Sequence, residues 1–203
     1  MKKLLNFLFP NFTCLACQDE INVSAHKHIC DDCLTRLPRN PNPKTDNVHA
    51  PFTYASPMPS LIMSLKYGGE GLVADLFAPF IAEIISETYD LIVPVPLSKS
   101  RMRERGYNQA ELLARELSSL LSVHDDATAL FRTRKTKPQV DMTTAERIEN
   151  QKGAFKTTAD LTDKRILLVD DVLTSGATAN ECARVLREAG ATHVEVAVIA
   201  RVV

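Results

Sequence analysis

Two adjacent carboxylates, Asp170 and Asp171, follow the apolar run 166–169 and lead into a small, hydroxyl-rich loop: Thr174, Ser175, Gly176, Ala177, Thr178. Small residues let backbone N–H groups converge on one point before a helix. Thr and Ser hydroxyls aim at the same point, and the positive helix end adds to the field. That is a phosphate cradle, and Gly176 lets the backbone come close to the anion. Carboxylates repel a phosphate, so Asp170 and Asp171 must face another part of the ligand. Neighbouring sugar hydroxyls suit them, because a carboxylate accepts two hydrogen bonds without competing for charge. The pattern therefore reads a ribose 5-phosphate. A Walker A loop would need a Gly-Lys-Ser/Thr ending and a dinucleotide fingerprint three spaced glycines, and the loop has neither. A strand running into a capped helix accounts for any one of these residues, but a cap needs only one of them.

A second cluster suits a metal. Of five cysteines, Cys14 and Cys17 form one CxxC pair and Cys30 and Cys33 another. Each knuckle turns both thiolates toward one ion, and two knuckles complete a tetrahedral shell, the pattern of structural zinc. A redox CxxC would stand once, at a strand-to-helix junction. His26 and His28 lie inside the insert and read as surface residues of a small finger. Cys182, at an apolar position of a helix, reads as core.

The elements that must position these groups alternate. "DLIVPVP" and "RILLVD" are short apolar runs expected of buried parallel strands, and "HVEVAVIARVV" is a last strand. "SLIMSLKYGG" reads as a helix ending at Gly68 and Gly69. "GLVADLFAPFIAEIISET" has helical spacing, with Pro79 as a kink or a boundary between two helices. "YNQAELLARELSSLL" is helical, with Leu112, Leu113, Leu117, Leu120 and Leu121 on one side. "TANECARVLREAG" carries the stripe Cys182, Val185, Leu186, Ala189 and stops at Gly190. This repetition predicts an α/β fold, a doubly wound and mostly parallel sheet. Residues 1–46 read as the finger and a Pro/Asn-rich linker (37–47), and 47–203 as the main domain.

With 203 residues and 45% hydrophobic content the chain can bury a core without disulfides, and a formal charge of -1 speaks against a globally basic nucleic-acid binder. "MKKLLNFLFP" is broken by Asn6 and Pro10 and lacks a cleavage site. No segment approaches the roughly 18 apolar residues of a membrane span. The expectation is a cytoplasmic protein.

The stretch 166–178 resembles the phosphoribosyl-pyrophosphate (PRPP) motif of type I phosphoribosyltransferases. More narrowly, the chain resembles the ComF competence-protein family over nearly its whole length. The two CxxC pairs, "PVPLSKSRMRERGYNQAELLA", "TKPQVDMTTAERIENQKGAF" and "LLVDDVLTSGAT" carry the likeness. The family usually has threonine where Ser175 stands and often Phe at the position of Tyr107. The resemblance implies a type I phosphoribosyltransferase sheet with an N-terminal zinc finger. It also implies PRPP or ribose 5-phosphate binding, with Asp170 and Asp171 on the hydroxyls and residues 174–178 around the 5-phosphate. A magnesium would be held mainly by ligand oxygens. The family is associated with DNA uptake in natural transformation, with single-stranded DNA and the uptake machinery as partners.

PRPP carries a pyrophosphate, which needs positive charge at a neighbouring strand end. Ser98, Lys99, Arg101, Arg103 and Arg105 follow "LIVPVP" directly, as contacts for ligand or nucleic acid. Lys66 is a further candidate. A second basic tract holds Arg132, Arg134, Lys135 and Lys137, and would serve as a flap over the pyrophosphate or a path for a DNA backbone. Phe131 and Tyr107 are the aromatics nearest these tracts. Two functions stay open: a PRPP-binding protein of DNA uptake, and an active phosphoribosyltransferase of nucleotide salvage or metabolism. No residue is assigned as catalytic. Glutamine-dependent amidotransfer would need an N-terminal cysteine nucleophile, and Lys2 stands there.

Overall fold

In the computed structural model, which describes residues 12–21, 29–45, 47–67, 72–134 and 143–203, the most apolar runs become the centre of a six-stranded sheet. The elements run β1 (Phe12–Thr13), β2 (Glu20–Ile21), α1 (Asp31–Thr35), β3 (Lys44–Thr45), β4 (Val48–His49), β5 (Phe52–Thr53), α2 (Met58–Tyr67), α3 (Leu72–Ile84) and β6 (Leu91–Pro94). They continue α4 (Lys99–Arg105), α5 (Gln109–Leu121), β7 (Phe131–Arg132), α6 (Thr144–Gln151), β8 (Phe155–Lys156), β9 (Arg165–Leu173), α7 (Ala177–Glu188) and β10 (His193–Arg201). The sheet order is β3-β4-β10-β9-β6, with β5 also on β10. Among the described residues of this sheet only β3 runs antiparallel to its neighbour, and β1–β2 and β7–β8 form separate antiparallel pairs.

Period-2 alternation in the central strands feeds two cores. Leu167 and Val169 of β9 and Ala197 and Ile199 of β10 share one core with Leu61 of α2, Phe77 of α3 and Leu113 of α5. Ile166, Leu168, Val194, Val196 and Val198 share the other with Cys182, Val185 and Leu186 of α7. Helices thus cover both faces, which makes the sheet doubly wound. Cys182 is fully buried, and burial pushes its thiol well up.

Four local expectations change. β9 does not stop at the acid pair: Val172 and Leu173 still pair with Ala200 and Arg201, because the ladder uses backbone groups that acidic side chains leave intact. Pro79 lies inside one continuous helix, α3, and is no boundary. On α5 the buried stripe is Ala110, Leu113, Ala114 and Leu117, while Leu120 in the last turn is exposed. The stretch expected to be a linker is packed: Asn40 donates from Nδ2 to Ala50 O at 2.9 Å, and the Arg39 guanidinium covers the rings of Phe52 and Phe80 at 4.9 and 4.4 Å. Cys14, Ile29 and Leu37 belong to the same core as α2, α3 and α5, so the cysteine segment rests on that face.

Candidate functional site

At the carboxyl ends of β6 and β9, a cavity of about 280 Å³ is lined by Asp170, Asp171, Thr174, Ser175, Gly176, Ala177 and Thr178 together with Ser98, Ser100, Arg101, Arg105, Gln109, Arg132 and Gln151. Strand ends are where open α/β sheets hold ligands, since helices begin there and their N–H groups point inward. The two carboxylates alternate along β9 and are unequally placed. Asp170 is half-buried, whereas Asp171 is buried, with Oδ1 accepting from Val172 N–H at 2.9 Å and Oδ2 facing Gln109 Nε2 at 3.5 Å.

The loop reaches α7 through Gly176, the N-cap, at φ 73°. Only glycine adopts that left-handed conformation without strain, which is a firmer reason for it than close approach to a ligand. No side chain caps α7. Thr174, Ser175 and Thr178 line the cavity, and the first turn of α7, which carries the unpaired N–H groups and the positive end of the helix, borders it at Ala177 to Ala179.

The basic segment forms the short helix α4. Ser98 caps α4 by accepting from Arg101 N–H at 3.3 Å, and Gly106 ends it at φ 80°. Helical spacing then sorts the cations. Arg101 and Arg105 line the cavity with Ser98, while Lys99 and Arg103 are exposed and stand outside its lining. Arg132 enters from the second tract, donating from Nη2 to Gln151 Oε1 at 2.8 Å and stacking over Phe155 at 4.8 Å. Burial, helped by the nearby charges of Arg101 and Arg134, holds its guanidinium below the usual arginine range. Arg134 instead donates to Lys152 O at 2.6 Å. Lys66 falls in the last turn of α2; its side chain and residues His26, His28, Gly68, Gly69, Lys135 and Lys137 lie outside the described residues.

Gln109 and Gln151 were not foreseen. A signal for Gln109 existed: an amide opening a helix right after a capping Asn, at a position that then turns inward. Asn108 accepts from Ala110 N–H and donates to Val95 O, both at 3.1 Å, so it pins the two ends of the basic segment together. Gln151 lies far along the chain in a polar helix and carries no such mark.

The four cysteines converge on one another. Their sulfurs lie within 4.8 Å of one another, and Cys17 and Cys30 are 3.9 Å apart. A tetrahedral ion with metal–sulfur bonds near 2.3 Å sets sulfurs roughly 3.8 Å apart, so the four fit a metal. Burial pushes the Cys14 thiol up, but N–H groups of Cys17, Cys30 and Ala16 outweigh it and bring it down to about 6. Cys17 is favoured as thiolate by Asp19 N–H, yet burial and Cys14 push it up to about 11, and burial with the neighbouring thiols raises Cys33 further. Four thiolates this close repel, and a cation is what lets all of them ionise.

Among the described residues no helix is long and apolar enough to cross a membrane. The phosphoribosyl transferase domain family matches residues 73–202. Competence protein F of Haemophilus influenzae is 27% identical over 98% of this chain and 100% of its own. DNA utilization protein YhgH of Escherichia coli is 31% identical over 85% of this chain and 78% of its own. Among solved structures, the glutamine PRPP amidotransferase from B. subtilis overlays with a TM-score of 0.47 and 18% identity, over 67% of this chain and 30% of that one, a likeness too partial to argue from. The parallel sheet with its strand-end cavity, the family match over more than half the chain and these relatives agree: the chain belongs to the ComF-type competence-protein family and carries a phosphoribosyl transferase domain.

Proposed function

We propose that the strand-end cavity binds PRPP or a ribose 5-phosphate, and that the protein acts in DNA uptake and handles single-stranded DNA. The observation that carries the reading is the meeting of three chemistries in one cavity: the acid pair, the uncapped hydroxyl loop, and the cations Arg101, Arg105 and Arg132. The 5-phosphate sits on residues 174–178, the ribose hydroxyls on Asp170 and Asp171, and the pyrophosphate by Ser98 and the arginines. Lys99 and Arg103, exposed beside that cavity, are left for a nucleic-acid backbone. Magnesium, which prefers one or two carboxylates plus phosphate oxygens, would arrive with PRPP and neutralise its charge. The relatives named for competence and DNA utilization support the DNA role. Zinc on Cys14, Cys17, Cys30 and Cys33 would brace the segment 1–46 against the domain 47–203, in a protein of the cytoplasm.

Calorimetric titration with PRPP and magnesium tests the binding reading, and saturable binding with one site per chain is expected. A PRPP-consumption assay over a panel of bases separates binding from phosphoribosyl transfer, and turnover with any base would establish the enzyme. Binding of single-stranded DNA should weaken steeply with salt as counterions are released, whereas a flat response removes the backbone role. Metal analysis should return one zinc per chain.

A further inference from the structure

We propose that Gln109 is a positioning residue of the acid pair: it holds Asp171 so that the carboxylate presents its remaining acceptors to a sugar hydroxyl. The inference rests on the reading that the cavity takes a phosphorylated ribose. Gln109 opens α5, lines the cavity and is only 3% exposed. Its Nε2 faces Asp171 Oδ2 at 3.5 Å, and its Oε1 is buried with no hydrogen-bond partner.

That is a poor bargain for stability. One donor makes a bond that is long for N–H···O, and one acceptor is stranded away from water, which by itself is unfavourable. A methionine of similar length would fill the same space without stranding anything. An amide is needed here only if its N–H does something an apolar chain cannot.

The carboxylate supplies that something. Asp171 Oδ1 is already held by Val172 N–H, so a second donor on Oδ2 fixes the rotation of the whole group. A fixed carboxylate binds a hydroxyl without first losing freedom, and a bond of this length can shorten when the ligand closes the site. Gln109 also follows Asn108, which clasps Val95 O and thereby the ends of the segment bearing Arg101 and Arg105. The pair 108–109 therefore ties the cationic side of the cavity to its acidic side.

The test compares wild type with Gln109→Met by calorimetric titration with ribose 5-phosphate, PRPP with magnesium, and inorganic phosphate, alongside thermal unfolding. Gln109→Met should unfold at the wild-type temperature or higher, while its affinity for ribose 5-phosphate and PRPP drops about threefold to tenfold. Its affinity for inorganic phosphate, which has no ribose hydroxyls, should not change. Unchanged ribose 5-phosphate and PRPP affinity in Gln109→Met overturns the role of Gln109 while leaving the ligand reading standing. A lower unfolding temperature, or an equal loss for inorganic phosphate, also overturns it by making the residue merely structural. A wild type that binds neither sugar phosphate sinks the ligand reading itself, and this inference with it.

Discussion

The adjacent strands β9 and β10 carry acids at opposite ends of the sheet, and the two ends treat them in opposite ways. At the carboxyl end Asp170 and Asp171 of β9 border a cavity. At the amino end Glu195 of β10 is 4% exposed and enclosed by donors: His49 and Tyr89 on Oε2, and His193 on Oε1 at 2.9 Å. Nearby, Glu87 pairs with Lys44 of β3. A buried charge is tolerated when its oxygens find donors, and the Glu195 carboxylate finds them on both oxygens from within the chain, although Glu87 Oε2 and His49 Nδ1 beside it stay buried without a hydrogen bond. The carboxyl end keeps acids, hydroxyls and arginines facing one space, and a polar ligand would complete them. His49, Glu87 and Glu195 also lie close enough together to suggest a metal. With Glu195 taking three protein donors, the cluster is better understood as a network that fastens β4 and the Tyr89 segment to β10.

Mutations at the two ends should therefore separate stability from binding. Glu195→Ala is expected to have the largest effect, a loss of about 3–5 kcal/mol in urea unfolding, because it leaves His49 and Tyr89 buried without their acceptor. PRPP affinity of the folded protein should not move.

The acid limb of stability should depend on the same residue. Burial pushes the Glu195 carboxyl up, but hydrogen bonds from Tyr89, His49 and His193 outweigh it and bring it from 4.5 down to about 2. A carboxyl lowered in the folded state contributes stability that is complete above its unfolded value. That contribution is withdrawn as pH falls from about 4.5 to about 2, and amounts to about 3 kcal/mol. Glu195→Gln should flatten this limb in unfolding measured across that range, and an unchanged limb would break the comparison.

At the other end, Asp170→Asn combined with Asp171→Asn should lower PRPP affinity about 100-fold with no loss of unfolding temperature. A fall in both would mean that the carboxyl-end acids hold the fold as Glu195 does. The smallest change sharpens the contrast. Tyr89→Phe removes one donor to Glu195 and should destabilise by about 1 kcal/mol, again without touching ligand binding.

Much of the carboxyl end was legible in the residue order, and little of the amino end was. The string of two acids and a hydroxyl-rich turn is contiguous, so its chemistry survives reading along the chain. The CxxC pairs share that property, each knuckle being a local turn. Glu195, His49 and Tyr89 are single residues from three separate segments, each unremarkable where it stands. Their network exists because β4 and β10 pair in parallel register, with His49 opposite Ala197. The same reason explains the cations. Four stood in one run, and helix α4 put Arg101 and Arg105 on the cavity lining while leaving Lys99 and Arg103 outside it.

By itself, then, the sequence determined the class of sheet, the acid pair with its loop, and the metal-ready cysteines, because periodicity and short-range spacing are properties of the chain alone. Tertiary structure decided which arginines face the cavity, that Arg132, Gln109 and Gln151 join it, and that Asp170 and Asp171 differ in burial. Those outcomes depend on strand register, helix phase and long-range packing, which bring together side chains that no local spacing relates.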